Sequence, residues 1–307
     1  MLRAALGASL ADAFDESPSL LEYQVAEMTG HEDALFLISG TMANQVALRT
    51  HTTLTQPPMG ILVDQRSHIL HKECGGMVAL GGGLIQSIIP SNGLYITLDD
   101  VHRCIVLKDD FYCATTRVIS LENPHCGTII PLEEFRAIAR YARSHDVKVH
   151  LDGARMWEVH VAGAGTLKDY CSEVDSVSMC FTKGLCAPAG SILIGNKAFM
   201  RQARKVRKSI GGSMRQPGIN IAMAAAGLAE VFNSGGEKSL LKRGHILAQE
   251  LKDCWVGNGG KLAMPVETNM VVLDLDAAAI SEEDWVAGGK QRGLILREHR
   301  LVIHCRE

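Results

Sequence analysis

The stretch "VKVHLDGARMWEV", residues 147–159, decides the fold. Val147 to Leu151 reads as a buried strand that runs straight into an acid, Asp152, and then an arginine, Arg155. Thirty-one residues beyond Asp152, a single lysine interrupts "SVSMCFTKGLCAPAGSILIG" (176–195), where apolar and small side chains surround Lys183. Strands that are apolar almost throughout belong inside a sheet covered on both faces. Ligands of such sheets bind beyond the C-terminal strand ends, where Asp152 and Lys183 stand.

Outward from this stretch, apolar runs alternate with helical patterns. "ALFLISG" (34–40) ends at glycine and leads into "TMANQVALRTHTTL", which has helical spacing. "GILVD", "LIQSIIP" and "TRVISLENP" read as further strands, as do "VKVHLD", "DSVSMCF" and "GSILIGN". In "PLEEFRAIARYARSHD" (131–146), Leu132, Phe135, Ile138 and Ala139 share one face, which predicts a helix packed on a sheet. "KAFMRQARKVRKSI" predicts a basic helix, and the Ala-rich "INIAMAAAGLAEVFN" a helix buried nearly all round. Such alternation predicts an α/β protein with a mostly parallel sheet. The pattern changes at "NSGGEKSLLKR", which places a division between a large unit, 1–232 with an N-terminal arm 1–20, and a smaller C-terminal α+β unit, 233–307. In the smaller unit "NMVVLDLD" and "GLILRE…RLVIHC" predict strands around a helix.

The composition narrows the partners. The 307 residues are 47% hydrophobic and 21% charged, with a net charge of −3, so there is no electrostatic case for nucleic acid or an acidic membrane. There is no 18-residue uncharged apolar run and no leader-like apolar core in "MLRAALGASLADAFDES". Nine cysteines without a C-x-x-C pair, Cys104 and Cys180 among them, read as mostly reduced core residues of a cytoplasmic protein.

Three features carry chemistry. The "SGT" turn at 39–41 opens a helix whose first N–H groups suit a phosphate; alternatively, Thr41 only caps that helix. Lys183 is either a loop residue reaching solvent or an amine whose desolvation favours the neutral form that condenses with an aldehyde. Asp152 either pairs with Arg155 or keeps a heteroaromatic nitrogen protonated. Acid, lysine and phosphate turn together are what a pyridoxal-phosphate site requires. His68 in "RSHILHKECGG" and His125 in "LENPHCGTIIP" also stand out. His68, His71, Glu73 and Cys74 match no standard zinc spacing, so no metal is expected.

"SGTMANQVAL", "LENPHCG", "HLDGAR", "TKGLCAPAGS" and "GGSMRQPG", in this order from about Glu22 onward, resemble the low-specificity threonine aldolases. Those are pyridoxal 5′-phosphate enzymes of the aspartate-aminotransferase fold. The resemblance implies that Lys183 forms the Schiff base and Asp152 holds the pyridine nitrogen. Arg155 lies beside cofactor and substrate, and His68 stacks on the ring. His125 faces the substrate side chain, Gly40 and Thr41 bind phosphate, and Arg300 of "RLVIH" grips the substrate carboxylate. Lys208 and Arg215 fall at subunit contacts near the site, which implies a homodimer or homotetramer. The implied reaction is retro-aldol cleavage of threonine or allo-threonine to glycine and an aldehyde, with His68 and His125 serving the proton transfer. An amino-acid (alanine) racemase on the same scaffold and a catalytically weakened paralogue are the alternatives. The family's "RSDT" serine has no counterpart here, and its "YGED" tyrosine is replaced by Phe14 in "FDES". Substrate grip is therefore expected to fall on Arg300 and Arg155.

Overall fold

The computed structural model describes residues 19–55, 58–108, 111–233 and 235–304. Phe14 and nearly all of the expected N-terminal arm lie outside the described residues. Seven strands form the main sheet: β1 (Asp33–Leu37), β2 (Met59–Asp64), β3 (Leu84–Ile88), β4 (Thr115–Glu122), β5 (Lys148–Asp152), β6 (Ser176–Cys180) and β7 (Ser191–Gly195). Their spatial order is β1-β7-β6-β5-β4-β2-β3. The block from β3 to β6 is parallel, whereas β7 runs antiparallel to both β6 and β1. Reversing twice brings the end of β1 to the edge where the parallel strands end. Leu37 and Cys180 both pair with Ser191 there, and Glu122 pairs with Asp152.

Every residue of β2, β6 and β7 is buried, as expected for strands covered on both faces. The helix Leu132–Ser144 lays Phe135, Ile138, Ala139 and Ala142 on the sheet. Glu133 and Glu134 in its first turn and Arg143 in its last suit the helix dipole. The helix Leu20–Thr29 opens with a capping box between Ser19 and Glu22, and Glu22 also accepts the Phe36 N–H of β1 at 2.6 Å.

A second sheet, β10-β9-β8, consists of β8 (Lys261–Leu262), β9 (Met270–Asp274) and β10 (Arg300–Val302). Three sequence expectations change. "GLILRE" forms no strand; the chain turns at Gly293, whose φ is +74°, and only Arg300–Val302 pairs. The Ala-rich helix Gly218–Gly227 buries Ile221 and Ala224 but leaves Ile219 42% exposed, so only one side is covered within the chain. Of the eight described cysteines, all free thiols, only Cys171 and Cys180 are buried. Cys74, Cys113 and Cys254 are exposed, because they lie outside the strands that form the core.

Candidate active site

The parallel edge gathers most of the chemistry-bearing residues. Ser39, just past β1, caps the 14-residue helix Gly40–Thr53 by accepting the Met42 N–H at 3.2 Å. The cap is thus Ser39 and not Thr41, which stands exposed in the first turn of the helix, where the first N–H groups are open. Gly40 is required by space: a Cβ there would lie 2.7 Å from Cys180 Sγ. A small residue at a helix start beside unpaired N–H groups is a phosphate cradle.

Asp152 ends β5, 5% exposed. It makes no pair with Arg155. Its Oδ2 accepts from Asn44 Nδ2 at 2.8 Å and its Oδ1 from the Ala154 N–H at 3.1 Å. Burial, helped by the Glu122 charge, raises its pKa; Lys183 and Asn44 pull the other way. A buried acid under such pressure gains from a cation placed against it, which a protonated pyridine ring provides. Lys183 follows β6 in a turn closed by Cys186 N–H to Lys183 O at 3.0 Å. It is half-buried, neither sealed in the core nor extended into solvent, and among the described residues it makes no hydrogen bond or ion pair.

His68 starts the short helix after β2. Its Nδ1 lies 3.0 Å from Glu73 Oε1, and that contact raises its pKa against the effect of burial. Its backbone N–H donates to Glu122 Oε2 at 2.9 Å. Glu122 also faces His125 Nδ1 at 3.4 Å. His125 is 2% exposed. Burial acts to lower its basicity, but Cys126 and the Glu122 carboxylate outweigh it, and the imidazole is pushed up to about 10.

Arg155, at the start of the helix Met156–Val161, has burial and the nearby Arg300 charge both working against its proton. Two guanidiniums facing one another invite an anion between them. Arg300 opens β10, half-exposed, with Glu298 Oε2 at 3.6 Å. Lys208 and Arg215 are exposed.

Asn44, Glu73, Glu122 and His150 also belong to the site, although none was assigned a role from the sequence. Glu73 had a signal, since it is the acid of the "H-x-x-x-x-E-x-GG" spacing from His68; the others had none beyond their strand ends and helix face. His68, Glu73 and Asp152 have ligand atoms within 4.8 Å of one another, which a cation could exploit. His71 and Cys74 are not among them. Asn44 Nδ2 donates to both carboxylates, at 2.9 Å to Glu73 and 2.8 Å to Asp152, so the trio is already bridged.

This set of residues fits pyridoxal phosphate: a helix start at Gly40–Thr41, a buried acid, a lysine without a partner among the described residues and an imidazole within 4.8 Å of the acid. The β-eliminating lyase family profile matches residues 1–278.

The chain belongs to the β-eliminating lyase family.

Its relatives include the alanine racemase TOXG of Cochliobolus carbonum, 41% identical over 99% of this chain and 79% of that protein. A low-specificity L-threonine aldolase of Candida albicans is also 41% identical, over 94% of this chain and 76% of that one. Among solved structures, the Leishmania major threonine aldolase superposes with a TM-score of 0.77 at 20% identity, covering 94% of this chain and 84% of that one, which speaks to the fold alone. The fold is that of aspartate aminotransferase. This β-eliminating lyase is a pyridoxal-phosphate-dependent enzyme.

Proposed function

We propose that the protein cleaves threonine, allo-threonine and related β-hydroxy-α-amino acids between Cα and Cβ, giving glycine and an aldehyde. The observation that carries this reading is His125. It is a buried imidazole backed by Glu122 at the edge where Asp152 ends β5 and Lys183 follows β6. A reaction that breaks Cα–Cβ must take the proton from the β-hydroxyl, and a positioned imidazole is the usual side chain for this.

Gly40 and Thr41 would hold the cofactor phosphate, Asp152 would keep the ring nitrogen protonated, and His68 would lie against the ring. When bound, pyridoxal phosphate supplies an electron-accepting ring that takes up the pair left at Cα. Lys183 is the amine that would hold the cofactor aldehyde. Arg300 and Arg155 would hold the substrate carboxylate and so fix the orientation of the bonds at Cα. His125 Nε2, or a water held by His125 and His68, removes the hydroxyl proton. The raised basicity of His125 means that the resting imidazole carries a proton at neutral pH, which must leave before the ring can act as a base.

Alanine racemisation is the second reading, since the racemase and the aldolase relatives are equally similar at 41%. The division at 232/233, a cytoplasmic location, a role in glycine formation and a homodimer or homotetramer with Lys208 and Arg215 at its contacts are part of the same proposal. The half-covered helix Gly218–Gly227 supports the oligomer.

The test is to supply purified protein with L-threonine, L-allo-threonine and L-alanine, and to assay glycine and D-alanine. Glycine from the hydroxy amino acids is expected, with kcat/KM rising as pH climbs from neutral and with Lys183→Ala losing both turnover and the bound cofactor's visible absorbance. D-alanine without glycine would transfer the assignment to the racemase reading.

A further inference from the structure

The turn that carries His125 holds a residue the proposed reaction leaves unused. His125 and Thr128 exchange both backbone hydrogen bonds, each 2.9 Å, and between them Cys126 and Gly127 have φ of +48° and +88°. Two positive φ values between such a pair correspond to the two-residue hairpin turn whose first central position suits Asn, Asp or Gly. Here that position is a cysteine.

The left-handed backbone folds the thiol back onto the preceding ring, and Cys126 Sγ lies 3.7 Å from His125 Nε2. On the ring's other side Nδ1 is buried without a well-directed hydrogen bond and faces Glu122 Oε1 at 3.4 Å. Sulfur, imidazole and carboxylate thus stand in a row, the order of a nucleophile, its base and the group that orients the base. The charged groups facing Cys126 are His125, Glu122, Arg66 from the turn after β2 and, from β10, Arg300. The His125 contact outweighs burial and holds the thiol below its ordinary range.

The other thiols differ. Cys171 and Cys180 are buried, and burial pushes both up, the first to a level where no thiolate forms. Cys186 meets both His304 Nε2 at 3.1 Å and the Gly184 carbonyl at 3.3 Å, so its proton has a second acceptor that is not an imidazole. Cys126 is half-buried and has no such carbonyl acceptor among its described contacts.

We propose that Cys126 is a modification site, a nucleophilic thiolate held beside the protonated His125, that takes up low-molecular-weight disulfides as a reversible mixed disulfide. The thiolate attacks one sulfur of RS–SR, the S–S bond breaks, Cys126–S–SR forms, and RS⁻ leaves and takes a proton from water as RSH. The small disulfide is reduced and the protein thiol oxidised, so the step needs no further reactant. The adduct occupies the space against His125 and stops any reaction that uses that ring.

The experiment treats the full chain, loaded with cofactor, with glutathione disulfide and locates the adduct by peptide mass. A parallel series measures iodoacetamide uptake at Cys126, Cys74 and Cys254 at two pH values one unit apart, 7.5 and 6.5. An ordinary thiol slows about tenfold over that unit. Cys126 is expected to slow less than about threefold and to be the first site to take up glutathione. Cys126→Asn, which the turn accepts, should keep turnover and resist inactivation, and dithiothreitol should restore the treated parent. His125→Asn should return Cys126 to the ordinary pH dependence. Uptake at Cys126 no faster than at Cys74 and with the same pH dependence would overturn the proposal, as would equal inactivation of Cys126→Asn. The adduct is read by mass, so this outcome does not depend on whether threonine is the substrate.

Discussion

Asn44 is the residue through which the site is tied to the core. Its Oδ1 accepts from Ser178 Oγ at 2.7 Å and faces His150 Nε2 at 3.2 Å, while its Nδ2 serves Asp152 and Glu73. An amide oxygen only accepts, so His150 must carry its proton on Nε2. Its Nδ1 then accepts from Ser176 Oγ at 2.9 Å, and that hydroxyl oxygen is left to accept from His51 Nε2 at 2.7 Å. Burial lowers both imidazoles to about 3, so both stay neutral and the direction of the whole line is fixed. All of it ends on two carboxylates. Asn44→Ala should leave two buried acids short of a donor and cost about 1.5–3 kcal/mol in denaturant unfolding. Asn44→Asp adds a third carboxylate and should cost more. In both variants cofactor affinity should fall about 10–100-fold, by analogy with groups that orient ligands from behind. An unchanged cofactor titration in Asn44→Ala would show that Asp152 needs no support.

At the scale of elements, the position of one helix start is set by a single missing carbon. The helix Gly40–Thr53 packs against β6 so closely that Gly40 meets Cys180 Sγ. Gly40→Ala should push the helix start off the strand end, cost about 1–3 kcal/mol by overpacking and weaken phosphate binding. Cys180→Ala removes the obstructing sulfur, so the double variant should recover most of the lost cofactor affinity. Cofactor titrations of the four proteins make a double-mutant cycle; additive losses would mean that the two residues do not share the space. The same scale explains which elements were readable. Helix Leu132–Ser144 and strands β2, β4, β5, β6 and β7 have periods strong enough to stand alone. The turn at Gly293 replaced an expected strand because the apolar run Leu294–Leu296 is only three residues long and fits several local structures.

For the whole molecule, pH is the informative variable. His51 and His150 are neutral when folded and remain so down to about 3, whereas in the unfolded chain they protonate below about 6.5. Their folded values are lowered, so the unfolded state binds more protons throughout that window. Their contribution to stability is therefore whole above about pH 6.5 and falls as pH drops toward 3, each group by about 1.4 kcal/mol per pH unit well inside the window. Stability measured by urea unfolding across this range should fall on acidification, and His51→Gln should make the fall shallower. An identical slope in the variant would mean that His51 is hydrated and free to titrate when folded. Sedimentation addresses the uncovered side of helix Gly218–Gly227: a dimer or larger species is expected at micromolar concentration, and a monomer would remove the basis for subunit contacts at Lys208 and Arg215.

The sequence by itself determined the α/β class, the sheet-end placement of Asp152 and Lys183 and the small-residue turn at Gly40 that opens a helix. Each rests on local facts: apolar runs, a charge at the end of a run, a small residue before a helix. Tertiary structure alone decided what surrounds them. Ser39 took the cap from Thr41, and Asp152 found Asn44 from 108 residues away, not Arg155. Glu122 came to lie opposite Asp152 through the register of two parallel strands. Such partners are fixed by strand order and helix packing, which no short window of residues encodes, and they set the protonation states on which the chemistry depends.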